Sequence, residues 1–555
     1  MEKLYTSAYK QLINVSILAV FIIISLSYLN SGLVYAEEDA IIYINSEKHI
    51  ITDWGYDIKG INDTGNRANS LTEEYAKKLF VEDGMTLLRV PIFAAFAHQE
   101  EGELDETVYE HTNQAIRNTL NVRSDVKIFA SLKLLGNKTF PDWVKNEKGD
   151  LIPEKYASLV ADYLKFMQEE NLPVHYLGVD NEPEYNEGDM TPEEYKDIIY
   201  ELWTLALIDG FTVPKLIGPE TYGPKVELLE PLNRDGWRDT VDIIGTHYYP
   251  EWRPYNNLQR MVGAAEGRSI WNTEVHAFKR QLTEERGFDF LRDSVLSLFE
   301  NYDLGLSGYV WWDYVRFDVR GEMAVNTVRS TLGARLLEMD DFDGRSLGNW
   351  RFNSRAFRQK NDLVIWIVNS RRDLDSYGFQ LDQGEFTGPV TYIQWTEDYS
   401  THGEANITAD NRFELSFPNE AITYIRVHGV YGPSDFNGYG YLWRELDLDL
   451  TYSLSNDLIR GKAVLDYISN NKEEKEVEVN IESTFLTFDA GEWVKYGEIN
   501  VITKNISLLS GEENTVSHEL ERPEANGLHR IETRYDLLID GEIIASEFLN
   551  NIINL

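Results

Sequence analysis

Eight short apolar runs, separated by segments of helical period, fill residues 49 to 335, and few folds accept that rhythm. The runs are "HIITDWGYDIKG" (49–60), "LLRVPIF" (87–93), "VKIFASLKL" (126–134) and "VHYLGVDNEPE" (174–184). They continue with "KLIGPET" (215–221), "VDIIGTHYYP" (241–250), "SIWNTEVH" (269–276) and "SGYVWWDY" (307–314). Between them, "SLTEEYAKKLFVEDG" opens on a capping box, Ser70-x-x-Glu73, and stops at Gly84. "TPEEYKDIIYELWTLALIDG" sets Pro192 just inside its start and Gly210 just past its end, as a helix prefers. Strands alternating with helices imply parallel βα units, and eight of them over roughly 290 residues predict a TIM (β/α)8 barrel. An open doubly wound sheet would be expected to carry a glycine-rich phosphate turn after an early strand, and the sequence has none.

After residue 345 the pattern changes to strict alternation with turns between, as in "NDLVIWIVNSRR", "GPVTYIQWTED" and "EAITYIRVHG". That is the reading of an antiparallel sandwich. The expected organisation is a barrel over 49–344, a β-sandwich over 345–432, a glycine-rich linker over 433–444 and a second, accessory β-sandwich over 445–555. Residues 37–48, containing "AIIYIN", form a strand expected to pack into the first sandwich.

Residues 1–36 read as a secretory signal peptide. Lys3 and Lys10 precede an apolar run from Val15 to Leu29, and Val34-Tyr35-Ala36 offers a cleavage site. The expected location is therefore extracellular or periplasmic, with no stable membrane association once the signal is gone. The cysteine count is zero, which excludes zinc–thiolate sites and cysteine nucleophiles. The formal net charge of −41 becomes −42 without the signal's two lysines and one glutamate, and repels nucleic acid.

Reacting groups of a TIM barrel sit where strands hand over to the βα loops. The fourth run offers Asn181 and Glu182 there, and the seventh offers Glu274 and His276. The second offers Arg89, the sixth His247, Tyr248 and Tyr249, and the eighth Trp311 and Trp312. Trp143, after the third run, is a candidate sugar platform. Glu182 and Glu274 face each other across the mouth, and inward side chains bring their carboxyls to within about 5–6 Å, the separation of a retaining glycosidase. One of the pair must be protonated when the bond breaks and the other ionised. Arg89, or a hydroxyl of Tyr248 or Tyr249, suits holding the ionised one. Strict alternation turns Asn181 away from Glu182, so a bulge is expected at that strand tip. Glu184, Glu187 and Glu220 read as solvated charges near the mouth. "DDFDGRS" (340–346) is too short for a calcium loop and reads as an acidic turn. Of the Trp311–Trp312 pair, alternation allows one side chain at most into the site.

"Asn-Glu-Pro" ending the fourth strand and "Trp-Asn-Thr-Glu" ending the seventh resemble the clan A retaining glycoside hydrolases, over about residues 41–432. Within that clan, "KTFPDWVKNEKGDLIPEKYASLVADYLKFMQEENLPVHYLGVDNEPEY" is similar to family 30 and to the agarase and porphyranase family 86. Both families attach a β-sandwich to the barrel, and family 86 carries two. Family 30 more often has a glutamine where this chain has Asp180. The resemblance implies Glu182 as acid/base and Glu274 as nucleophile; no cofactor and no metal are expected.

The expected function is endo-hydrolysis of an extracellular polysaccharide. The acidic chain makes a neutral galactan or xylan backbone easier to bind than a heavily sulfated one, and an algal galactan of the agarose or porphyran type leads. The alternative is a family 30-like endo-xylanase or glucuronoxylanase. A basic rim of Arg253, Lys279, Arg280, Arg316 and Arg320 would suit an acidic substituent. A metal-dependent barrel hydrolase would want a histidine pair on its first strand, which here ends Trp54-Gly55-Tyr56. An inert carbohydrate-binding protein would not need both glutamates.

Overall fold

The computed structural model describes residues 39–554 except 45, 59–70, 135–139, 185–189, 234–240, 250–253, 276–286, 313–317, 341–351, 371–373, 398, 432–439, 448–457, 469–474, 490–491, 509–512, 522–527 and 540–541. The signal-peptide expectation, the 340–346 turn past its first residue, His276, Glu187 and the basic residues at 253, 279, 280 and 316 all lie outside the described residues.

Strand β1 (Asp39–Tyr43) is followed by a closed parallel barrel of eight strands. These are β2 (Asp53–Asp57), β3 (Leu87–Phe93), β4 (Lys127–Lys133), β5 (Tyr176–Gly178), β6 (Lys215–Thr221), β7 (Ile243–His247), β8 (Ile270–Val275) and β9 (Gly308–Trp311). β3 and β6 coincide with the apolar runs "LLRVPIF" and "KLIGPET". Every one of these strands is buried on both faces apart from the first residue of β4 and of β6, as a parallel sheet wrapped by helices requires. The floor of the barrel is an apolar layer of Leu87, Phe129, Tyr176, Ile217, Ile243, Trp271 and Val310. A Cβ on Gly308 would lie 2.5 Å from the Trp271 ring, so the glycine is what lets the indole fill the floor. Two residues further along several strands, the inward positions become polar, with Asp57, Arg89, Ser131 and Thr273 all buried.

Helix Pro192–Asp209 has the expected ends. Thr191 and Glu194 form a reciprocal capping box, and Gly210 closes the helix at φ 76°. The first helical segment is capped by Thr72, whose side chain accepts from the Tyr75 N–H, while Ser70 lies outside the described residues. Among the described residues, no helix is long and apolar enough to cross a membrane.

β10 (Arg335–Asp340) leaves the barrel for a nine-stranded sheet. Its other strands are β1, β11 (Phe352–Gln359), β12 (Asp362–Asn369), β13 (Leu374–Leu381), β15 (Val390–Trp395), β16 (Ser400–Ala405), β17 (Arg412–Phe417) and β18 (Ala421–Val427). β14 (Glu385–Phe386) and β19 (Val430–Tyr431) form a separate short ribbon. The order is β16-β15-β18-β12-β11-β10-β1-β13-β17, and the edge strands β16 and β17 approach each other so that the sheet nearly closes. β1 pairs antiparallel with β10 and parallel with β13. Alternation along β12 explains the docking of this sheet. Leu363, Ile365 and Ile367 fill the sheet's own core, while Val364, Trp366 and Val368 join the barrel's. Two further antiparallel sheets, of three and four strands, follow from Gly440 to Asn554. The strand Gly440–Asp447 begins inside the stretch read as a linker.

Candidate active site

The stretch "YLGVDNEPE" resolves into a three-residue strand and a turn. β5 stops at Gly178, and Glu182 adopts φ 61°, with its N–H donating to the Glu220 carbonyl at 3.0 Å. This left-handed backbone, costly for a glutamate, replaces the expected bulge and lets neighbours Asn181 and Glu182 both reach the mouth. Ladder irregularities occur elsewhere, between Thr246 and His247 on β7 and between Asn272 and Val275 on β8. There they re-aim the strand tip that carries Glu274.

One oxygen of Glu182, one of Glu274 and one ring nitrogen of His247 all lie within 4.8 Å of one another. The two carboxylates therefore converge. Their surroundings differ. Glu274 is nearly buried, with Arg89 Nη1 donating to Oε1 at 2.8 Å and the Tyr249 hydroxyl donating to Oε2 at 2.6 Å. The Glu182 side chain is 16% exposed, and its Oε1 lies 2.9 Å from His247 Nδ1. Burial and then the charges of Glu274 and Glu182 push the Tyr249 pKa well above its ordinary value, so its hydroxyl remains a donor. His247 is fully buried and its Nε2 meets no hydrogen-bond partner among the described residues.

Arg89 is the hub. Nη1 also donates to Asp57 Oδ2 and to the Thr273 carbonyl, each at 3.0 Å. Nη2 donates to Asn181 Oδ1 at 2.8 Å, to Ser131 Oγ at 3.1 Å and to Glu220 Oε2. Burial opposes the Arg89 charge, but Glu220, Asp57 and Glu274 outweigh it and raise the pKa above its usual value. Glu220, read as a solvated charge, is instead fully buried, and Ser131 Oγ donates to its other oxygen at 2.8 Å. Gly178 makes room for it, since a Cβ there would lie 1.8 Å from Glu220 Oε1. Glu184 is also less solvated than expected: Lys225 Nζ stands 3.4 Å away, and burial raises its carboxyl pKa.

Other expectations resolve unevenly. Tyr249, not Tyr248, faces the site, because the Tyr248 hydroxyl bonds Glu300 at 2.5 Å. Trp311 does not line the mouth. It is fully buried under the helices and stacked on Trp54 at 5.1 Å, because Val310 takes the inward position on β9. Trp312 is half-buried at the strand tip, its N–H donating to the Val275 carbonyl at 2.8 Å. Trp143 is tied by its indole N–H to the His98 carbonyl at 2.8 Å and packs against the barrel core, not against the carboxylates. Sequence reasoning missed Asp57 altogether. Strand parity was the available signal, for Gly55 and Asp57 follow one another inward as Leu87 and Arg89 do.

Glu182, His247 and Glu274 are also the set that could hold a metal ion. Both oxygens of Glu274 already accept from Arg89 and Tyr249, so a cation would have to displace a guanidinium or a hydroxyl. The donor set fits proton transfer and carboxylate attack better.

No protein-family model matches the chain. The glucuronoxylanase XynC of Bacillus subtilis strain 168 is 24% identical over 283 residues, covering 48% of this chain. The chain spans 64% of that relative's length, a little under two thirds. Among solved structures, a family 30 endoxylanase from Clostridium papyrosolvens is similar at 16% identity and a TM-score of 0.55, over 71% of this chain and all of that one. A family 30 subfamily 8 xylanase, Xyn30A from Clostridium acetobutylicum, is similar at 18% identity and a TM-score of 0.52, over 70% of this chain and 99% of that one. At such identities the likeness is one of fold: barrel plus attached β-domain.

Proposed function

We propose that the chain, which resembles the clan A glycoside hydrolases and family 30 within them, is an exported, retaining endo-β-glycoside hydrolase acting on a xylan-type polysaccharide. The observation that carries this reading is the convergence of Glu182 on an Arg89- and Tyr249-held Glu274 within 4.8 Å. The asymmetry of the two sites supports a division of roles. Two donors, one of them cationic, favour ionised Glu274 as nucleophile, whereas Glu182, open to solvent and facing His247, can gain and lose a proton.

In the first step a Glu274 oxygen attacks the anomeric carbon. The glycosidic C–O bond breaks, its electron pair leaves with the oxygen, and that oxygen takes the Glu182 proton. In the second, Glu182 removes a proton from water, the water oxygen attacks the same carbon, and the ester bond returns its pair to Glu274. Arg89 and Tyr249 hold the Glu274 carboxylate before the attack and receive it again when the ester bond breaks.

The substrate class follows the relatives' names, which are xylanases and glucuronoxylanases. The galactan expectation finds no support among them, and the xylan alternative takes its place. Reducing-end release from glucuronoxylan, agarose and porphyran, measured side by side, tests this. Cleavage of glucuronoxylan, abolished by Glu274→Gln and by Glu182→Gln, is the expected result. Cleavage of a galactan instead, or an undiminished rate in Glu274→Gln, would refute it.

A further inference from the structure

We propose that Asp57 is a positioning residue for the nucleophile, competing with Glu274 for the same guanidinium nitrogen and so limiting how hard Arg89 grips it. The inference rests on the retaining-glycosidase reading of the site. Nη1 of Arg89 carries two hydrogens but faces three acceptors: Glu274 Oε1 at 2.8 Å, Asp57 Oδ2 at 3.0 Å and the Thr273 carbonyl at 3.0 Å. Asp57 is fully buried at the tip of β2, beside Arg89 in the parallel ladder.

A carboxylate held alone by a guanidinium in a buried site is strongly ionised and correspondingly poor at attack. A nucleophile needs ionisation without that loss of basicity. Sharing Nη1 between two carboxylates supplies the compromise. Asp57 adds a negative charge that raises the basicity of Glu274, while Arg89 keeps it ionised. The other charged and titratable groups around Glu274 are Glu182 after β5, Glu220 on β6, and His247 and Tyr249 on and after β7. Glu220 engages the opposite nitrogen, Nη2, so it does not compete for the same hydrogens.

Asp57→Asn keeps the shape and an acceptor oxygen but removes the charge. In protein labelled with carboxyl-13C glutamate, with the Glu274 resonance identified by its loss in Glu274→Gln, the Glu274 titration is expected to move to lower pH in Asp57→Asn. The acidic limb of the kcat profile on glucuronoxylan is expected to move with it, and kcat to fall about tenfold. Asp57→Ser serves if the asparagine variant does not fold. An unmoved Glu274 titration in either folded variant overturns the proposal. The titration needs no turnover, so failure of the wild-type protein to cleave xylan would sink the glycosidase reading and leave this result separately readable.

Discussion

The hydroxyl of Tyr249 lies 2.6 Å from Oε2 of Glu274 and donates its proton there. This bond and the one from Arg89 occupy the two oxygens of the carboxylate. Tyr249→Phe removes one donor and leaves the other in place. Losing a preorganised donor at the reacting group is worth about 3 kcal/mol of transition-state stabilisation. The kcat on glucuronoxylan should fall about a hundredfold with KM little changed, measured by steady-state kinetics.

Arg89 stabilises as well as orients. Asp57, Glu220 and Glu274 are three buried carboxylates gathered on one cation. Arg89→Met leaves them uncompensated, and breaking a buried network in this way costs about 3–5 kcal/mol. Urea unfolding should show a loss of that order, and removing one of the three negative charges with Glu220→Gln in the same chain should recover part of it.

Much of this site was legible in the sequence, and the limits of that reading are physical. The apolar runs located the barrel strands because parallel strands buried on both faces must be apolar almost throughout. Glu182, Glu274, Arg89 and Tyr249 followed from asking what each strand tip offers. Asp57 escaped because the inward parity of β2 was not followed past Gly55, and Glu220 because its burial depends on a long guanidinium reaching from β3 to β6, a relation no local pattern encodes. Gly178 gave a clue only in retrospect, since its missing side chain is the space Glu220 fills. Alternation left open which of Trp311 and Trp312 turns inward, although Gly308 lying over Trp271 fixes the parity of β9 and puts Trp311 outside the site. The left-handed turn at Glu182 did the work assigned to a bulge, and a single glutamate in that conformation has no sequence signature.

His98 ties stability to pH. Both of its ring nitrogens are buried without a hydrogen-bond partner among the described residues, and burial lowers its pKa from 6.5 to about 4. The unfolded chain therefore takes up a proton that the folded one refuses. This contribution is fully present above about pH 6.5 and is lost as pH falls toward 4, by roughly 3 kcal/mol in all. His98→Leu should unfold with a shallower pH dependence between 6.5 and 4 than wild type, read from urea midpoints at several pH values. Parallel curves would contradict this.

The double displacement itself is most directly read from the configuration of the first product. Proton NMR of glucuronoxylan during the earliest minutes of hydrolysis resolves the anomeric signals of new reducing ends before they mutarotate. Carboxylates as close as those of Glu182 and Glu274 predict that the β-anomer appears first and the α-anomer grows in later. Initial release of the α-anomer would mean that water, not Glu274, meets the sugar, and would contradict the account.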